Sequence, residues 1–363
     1  MTALPPPESL LRSIKESCAA CTARSGIPVD RQAIEAFISS IKEQDWTPSD
    51  HGVRMPLAFE SVEDELNVLA TLALLNFLSG YRHVLHRVAG RGAYSTILST
   101  VLAAYLSSPD SLLSTTGMIA ATAAQLAGLA RISTHTERQH ESLPVTVGVK
   151  DGEAFEVLEL LAGVLRQTGA ALQAAGCESL GAWVHEALMR AKGSAGAFVH
   201  DLASSFPAFN DVHTVDGEPV YLLKKAVWLA TVVSLRFEGE NVAFQVPALD
   251  DMPVFADNVL PTLLVHHGIL SLSSSTDPAL AALSLADSDT LLLASGSATR
   301  LRAAAVTACA TIVERAHEMS VDEGRGWLAA VTEQQLDGWM WAQGKREDLR
   351  TVERVAERGT VFY

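Results

Sequence analysis

The chain is short of cations, of aromatic rings and of cysteine, and each shortage argues against a class of protein. Lysine and arginine number 27 against 42 aspartates and glutamates, a formal net charge of −15. A sequence-independent grip on a phosphate backbone comes from clustered cations displacing counterions, so a duplex DNA binder is disfavoured and no direct nucleic-acid partner is expected. A small phosphorylated ligand stays open, because one phosphate needs only one or two local cations. Aromatics make up 6% of the residues, and the 48% that are hydrophobic are led by alanine and leucine, which favours helices over sheets. The four cysteines offer one close pair, Cys18 and Cys21, in the run SLLRSIKESCAACTA. Without a second pair or a βαβ context it reads as an amphipathic helix in which the cysteines are small packing residues. The chain also lacks an uncharged apolar run long enough to cross a bilayer and an arginine-led apolar segment at its start. The expectation is therefore a cytoplasmic protein without a membrane partner.

What is present reads as an all-α fold. MTALPPP at residues 1–7 cannot be helical and is expected to be a flexible leader, with 8–363 forming a single helical domain. From Asp30, a good N-cap, the spacing of Ile34, Phe37, Ile38 and Ile41 predicts a surface helix facing a core. Pro48, Gly52 and Pro56 predict a crossing loop between Trp46 and Phe59. EDELNVLATLALLNFLS, from Glu63 to Ser79, is acidic at its start and then nearly all apolar, the pattern of a buried central helix. Further helices are expected at about 94–107, 111–130, 153–175, 179–205, 220–236, 259–267, 276–285, 298–318 and 325–342, with breaks that include Pro109. The one strand candidate lies near Thr146 to Val149.

Several chemistries lose their support. His83 and His86 have the spacing of a chelating pair, but no third ligand is near in sequence, so no metal is expected. HTERQHE, with His135 and His140, reads as a polar loop or helix end. No G-x-S-x-G elbow, phosphate loop or G-x-G-x-x-G occurs, and no cofactor is expected. Polar residues set in apolar runs remain, and they are costly to bury. Asn76 and Phe77 end the central helix, where the amide can equally serve as a cap. Lys224 and Lys225 open the apolar helix VYLLKKAVWLATVV, as a solvated first turn or a snorkelling pair would. Asp257 in PVFADNVLP is either an ordinary N-cap or a partly buried carboxylate kept ionised at a helix start. LDGWMWAQGK alternates Asp337 with Trp339 and Trp341, as a packed tryptophan pair would.

Taken in order, these patches resemble the queuosine-salvage family. The resemblance runs through Leu75 to Phe77, SSFPAFND at 204–211, VYLLKKAVWLA, FADNVLPTLLVHHGIL, LDGWMWAQGK and the closing GTVFY, from about residue 60 to 363. The stretch around the central helix looks like the fungal branch in particular. The resemblance implies a fold similar to helix-hairpin-helix DNA glycosylases. It also implies hydrolysis of queuosine 5′-monophosphate, a small-molecule substrate, to queuine and ribose 5-phosphate. By position it makes Asp257 the catalytic aspartate and gives substrate-binding roles to Lys224, Asn76, Phe77, Phe255, Asp337 and Trp341. The chain departs from the family where many members carry Asp-Tyr-Arg-Val-Pro, since Asn258, Val259 and Leu260 stand between Asp257 and Pro261. It departs again at Ala73, where an acidic residue is common. Those departures motivate an alternative, a non-catalytic homologue that binds queuine or a nucleotide.

Overall fold

The computed structural model describes every residue except 1–2, 49–54, 56, 108–111, 288–290 and 323. The expected breaks at Gly52, Pro56 and Pro109 and a helix start at residue 111 lie outside the described residues. The chain divides into two compact units: Met1–Ala58 with Ala187–Ser205 and Phe209–Phe362, and Phe59–Glu186 with Phe206–Ala208 and Tyr363.

The first unit opens with α1 (Leu10–Arg24) and α2 (Arg31–Ser40). The chain continues into the second unit with α3 (Val62–Leu75), α4 (Arg82–Ala89), α5 (Ala93–Ser107), α6 (Thr115–Ile119) and α7 (Ala123–Ala130). The antiparallel strands β1 (His135–Gln139) and β2 (Thr146–Lys150) follow, then α8 (Gly152–Ala175) and most of α9 (Leu180–Ala191). Back in the first unit come α10 (Ala195–Ser205) and the hairpin of β3 (Val212–Val215) and β4 (Glu218–Tyr221). After them run α11 (Lys224–Phe237), α12 (Val259–His266), α13 (Pro278–Ala281), α14 (Ser295–Asp322), α15 (Glu333–Gln343) and α16 (Glu347–Arg350). The structure is mostly helical, as composition predicts, with two small two-stranded sheets added.

In the first unit α14 is the hub, packing against α1, α2, α12, α15 and β3. It can do so because Ala303, Ala304, Ala305, Ala308 and Cys309 are small and fully buried, letting neighbouring backbones approach. α1 faces it with Leu10, Ile14, Cys18 and Cys21, all buried at helical spacing. Cys18, Cys21 and Cys309 are free thiols, and burial pushes all three up, so they pack as small neutral groups. Asp30 caps α2 as expected, its side chain accepting the Ala33 N–H at 2.9 Å. In the second unit α3 is buried from Leu66 to Leu75 except at Asn67, while α8 packs on α6 and α7. Among the described residues no single helix is long and apolar enough to cross a membrane. One pair, α3 with residues 79–89, meets the length and composition criteria but is bent by 64°.

The departures from expectation have local causes. α3 stops at Leu75, four residues early, with Asn76 as its C-cap. The helix expected over 111–130 is split into α6 and α7, the second started by the Thr122 side chain, which accepts the Gln125 N–H. The one expected over 179–205 breaks where Lys192 (φ 49°) and Gly193 (φ 82°) turn left-handed. The first five residues of HTERQHE, His135–Gln139, form strand β1, paired with the strand foreseen at Thr146. The helix expected from 220 starts only at Lys224, because Glu218–Tyr221 pairs with Val212–Val215 across Asp216 and Gly217, both at positive φ. That is a two-residue hairpin turn with an Asp-Gly signature. Only Pro278–Ala281 of 276–285 is helical, and 325–342 is a 3-10 turn followed by α15.

Close packing in the second unit yields a paired test. A Cβ on Gly181 would lie 2.5 Å from the Glu63 carbonyl oxygen, whereas one on Gly163 in α8 meets nothing within 4 Å. Gly181→Ala is expected to lose about 1–3 kcal/mol of unfolding free energy from overpacking. Gly163→Ala should gain up to about 1 kcal/mol from helix propensity. Urea titration of the two variants measures both, and equal effects would refute the packing argument.

Candidate active site

The segment Met252–Asp257, which belongs to no helix or strand, is held by side chains, and among the described residues no strand pairs with it. α15 begins under a capping box of Thr332 and Gln335 and presents Glu333, Gln334 and Asp337 to this segment. Glu333 Oε2 accepts the Val254 N–H at 3.3 Å, and Asp337 Oδ2 accepts the Phe255 N–H at 3.1 Å. Gln334 Nε2 donates to the Met252 carbonyl. From α14, Arg302 Nε donates to the Ala256 carbonyl at 2.9 Å. These bonds satisfy a buried backbone that has no ladder. Asp257 follows, partly exposed, and its Oδ1 accepts the Val259 N–H at 2.6 Å. It therefore caps the start of α12 from one residue before the formal N-cap, Asn258, whose own side chain makes no capping bond.

Lys224 and Lys225 are 2% and 1% exposed, so the readings as a solvated first turn and as a snorkelling pair are both wrong. Lys225 Nζ donates to the Val361 carbonyl at 2.6 Å. The Lys224 backbone N–H donates to Asp211 Oδ2 at 3.3 Å. Leu223, just before it, is left-handed at φ 50°, a strained conformation for a branched residue. Burial lowers the Lys224 ammonium to about 8, with Arg302 pushing the same way and Asp257, Asp211 and Asp337 opposing. Burial would raise the Asp211 carboxyl, but Arg302 and His213 hold it below the ordinary range. Burial, followed by the charge of Asp257, pushes Asp337 well above that range. A carboxyl with raised proton affinity is thus coupled to Asp257, an arrangement suited to acid chemistry.

The remaining expected residues are placed less centrally. Phe255 is buried within the held segment. Trp341 lies on α15 four residues after Asp337, with Lys345 Nζ 3.1 Å from its ring centroid. Trp339 is a packing residue: its ring lies 5.5 Å from Trp46 and its Nε1 donates to the Asp45 carbonyl at 3.0 Å. Asn76 and Phe77 belong to the second unit, Asn76 partly exposed and Phe77 buried. The sequence reading missed Arg302, Glu333 and Gln334, and carried Asp211 only as the end of SSFPAFND. The signal for Arg302 was a cation within TRLRAAAVTACA, on a helix face that is otherwise small and apolar.

A family model described as queuosine salvage protein matches residues 124–363, about two thirds of the chain. Asn76 and Phe77 precede the matched residues. The chain is also 30% identical over 219 residues to a protein of Sphaerobacter thermophilus named queuosine 5′-phosphate N-glycosylase/hydrolase. The match covers 60% of this chain and 61% of that relative.

The raised Asp337 carboxyl makes stability depend on pH. The unfolded chain releases this proton near its ordinary value of about 4, while the folded chain keeps it, so the native state binds more protons above that point. Its contribution therefore declines as pH rises. Asp337→Asn retains an acceptor for the Phe255 N–H and removes the titration. Its unfolding free energy relative to the unmutated protein should improve as pH rises above about 4, by up to about 1.4 kcal/mol per pH unit. A difference that does not change with pH in urea titrations would contradict this assignment.

Proposed function

Because the chain belongs to the queuosine salvage protein family, we propose that it hydrolyses the N-glycosidic bond of queuosine 5′-monophosphate, releasing queuine. The single observation that carries the reading is Asp257, a partly exposed carboxylate on a segment whose backbone is fixed by Glu333, Asp337 and Arg302. In this reaction the bond from C1′ to the base nitrogen breaks, and its electron pair leaves with the base. Water adds its oxygen to C1′, and a proton from the water ends on the base or is passed there by an acid. Positive charge builds on the ribose in the transition state, and a fixed anion beside C1′ stabilises it. Asp257 has that role here, and it also orients the water.

Queuine is a 7-deazapurine and lacks the ring nitrogen that purine hydrolases commonly protonate. The leaving base must be met at other edges. Asp337, whose carboxyl is pushed up by burial, supplies a donor when protonated, and Lys224 balances Asp257 or meets the phosphate. Phe255 and Trp341 provide apolar and ring surface for the base. For Asn76 and Phe77 the reading rests on the resemblance of the Leu75–Phe77 stretch, with an amide for the base edge and a ring for its face. The reading further takes the helical fold as akin to helix-hairpin-helix glycosylases, the substrate as a free nucleotide and the location as the cytoplasm, with no cofactor, nucleic acid or membrane involved.

The test is incubation of the pure protein with queuosine 5′-monophosphate and chromatography of the released base. Asp257→Asn should lower kcat by about a thousandfold, within the range for losing an electrostatic stabiliser. Release undiminished in the variant would remove Asp257 from the chemistry. Queuine binding without turnover by the unmutated protein would favour the non-catalytic alternative that the substitutions after Asp257 suggest.

A further inference from the structure

We propose that Arg302, anchored by Asp211, is a positioning residue that fixes the backbone carrying Asp257; this rests on the reading of Asp257 as the carboxylate that meets the ribose. Arg302 is 2% exposed and is the largest fully buried side chain in the described chain. Its Nη1 and Nη2 donate to Asp211 Oδ1 and Oδ2 at 3.2 and 2.7 Å, a bidentate pair. Its Nε donates to the Ala256 carbonyl at 2.9 Å, one residue before Asp257. Asp211 in turn accepts from His213 Nε2 at 2.9 Å and from the Lys224 backbone N–H at 3.3 Å. Its own carbonyl takes the N–H groups of Leu222 and Leu223 at 3.0 and 3.2 Å, holding the left-handed Leu223 in place. One buried pair therefore sets two chain positions, the approach to Asp257 and the start of α11 at Lys224.

Stability alone does not account for the pair. A buried ion pair is commonly matched or bettered by apolar residues of similar volume. The neighbours of Arg302 on α14, Ala303, Ala305, Val306 and Cys309, are apolar and buried, so a hydrophobic side chain would suit the location. An apolar side chain could not bond the Ala256 carbonyl, and a lysine could not bond it while also gripping both oxygens of Asp211. The geometry of the pair matches a demand for placement of Asp257.

The test uses Arg302→Lys and Asp211→Asn in the full chain, with three measurements. These are backbone hydrogen exchange over residues 252–260, kcat and KM with queuosine 5′-monophosphate, and queuine affinity by calorimetry. For Arg302→Lys, exchange should accelerate within 252–260 and little elsewhere, and kcat should fall about a hundredfold. KM and queuine affinity should stay within about threefold of the unmutated protein. A purely structural role would speed exchange throughout the first unit and weaken queuine binding in step with the rate, and that result overturns the proposal. So does a kcat within about threefold of the unmutated value. Should Arg302→Lys fail to fold, Asp211→Asn, which keeps size and an acceptor oxygen, must show the same selective loss of kcat or the proposal falls. If the unmutated protein releases no base, the activity reading is what fails, and the exchange measurement alone decides whether Arg302 holds the segment.

Discussion

The buried ion pair of Asp211 and Arg302 is the constraint on which the candidate site depends. It joins the loop after α10 to the first third of α14, and from its two ends hang the segment before Asp257 and the first turn of α11. Charges this deep are costly to isolate, so each must keep its partner, and the pairing fixes the elements that carry them. Around it the protein places two further carboxyl groups and two ammonium groups with altered proton affinities. The balance among these groups follows from burial and from the charges that face one another.

α15 adds a second layer of the same logic. Positions 333, 334 and 337 fall on one side of the helix, and each meets a backbone group of the segment before Asp257. In a sheet those groups would bond a neighbouring strand. Here a helix edge takes the strand's place, which lets the segment end in a part-exposed carboxylate. Glu333 is itself tied to Lys15 of α1 at 2.6 Å, so the N-terminal helix contributes to the arrangement through one further step.

Much of the helical plan was legible because it is written in local periodicity. The stripe of Ile34, Phe37 and Ile38, the cap at Asp30 and the apolar run of α3 act within a few residues of themselves. The strands were harder to read. β1 has the polar sequence HTERQ and pairs across a loop, and β3 and β4 needed the Asp216-Gly217 signature to be given weight over the helix that follows. At the site, Asp257, Lys224 and Asp337 stood out as polar residues in apolar runs. The burial of both lysines did not, because sequence offers snorkelling as a cheaper solution. Arg302 was missed since its meaning lies in partners 46 and 91 residues away, and no local window contains them.

Those separations bear on how the protein reaches its native state. Helices such as α8 and α14 can form from contacts within themselves, quickly and independently. The bonds that shape the Asp257 segment join residues 46, 79 and 82 positions apart, and each requires a long loop to close before it gives anything back. The segment cannot take its shape until α14 and α15 have both docked. A chain stalled with its helices formed would have almost normal secondary structure and an unassembled site, so recovery of helical signal during refolding should run ahead of recovery of function.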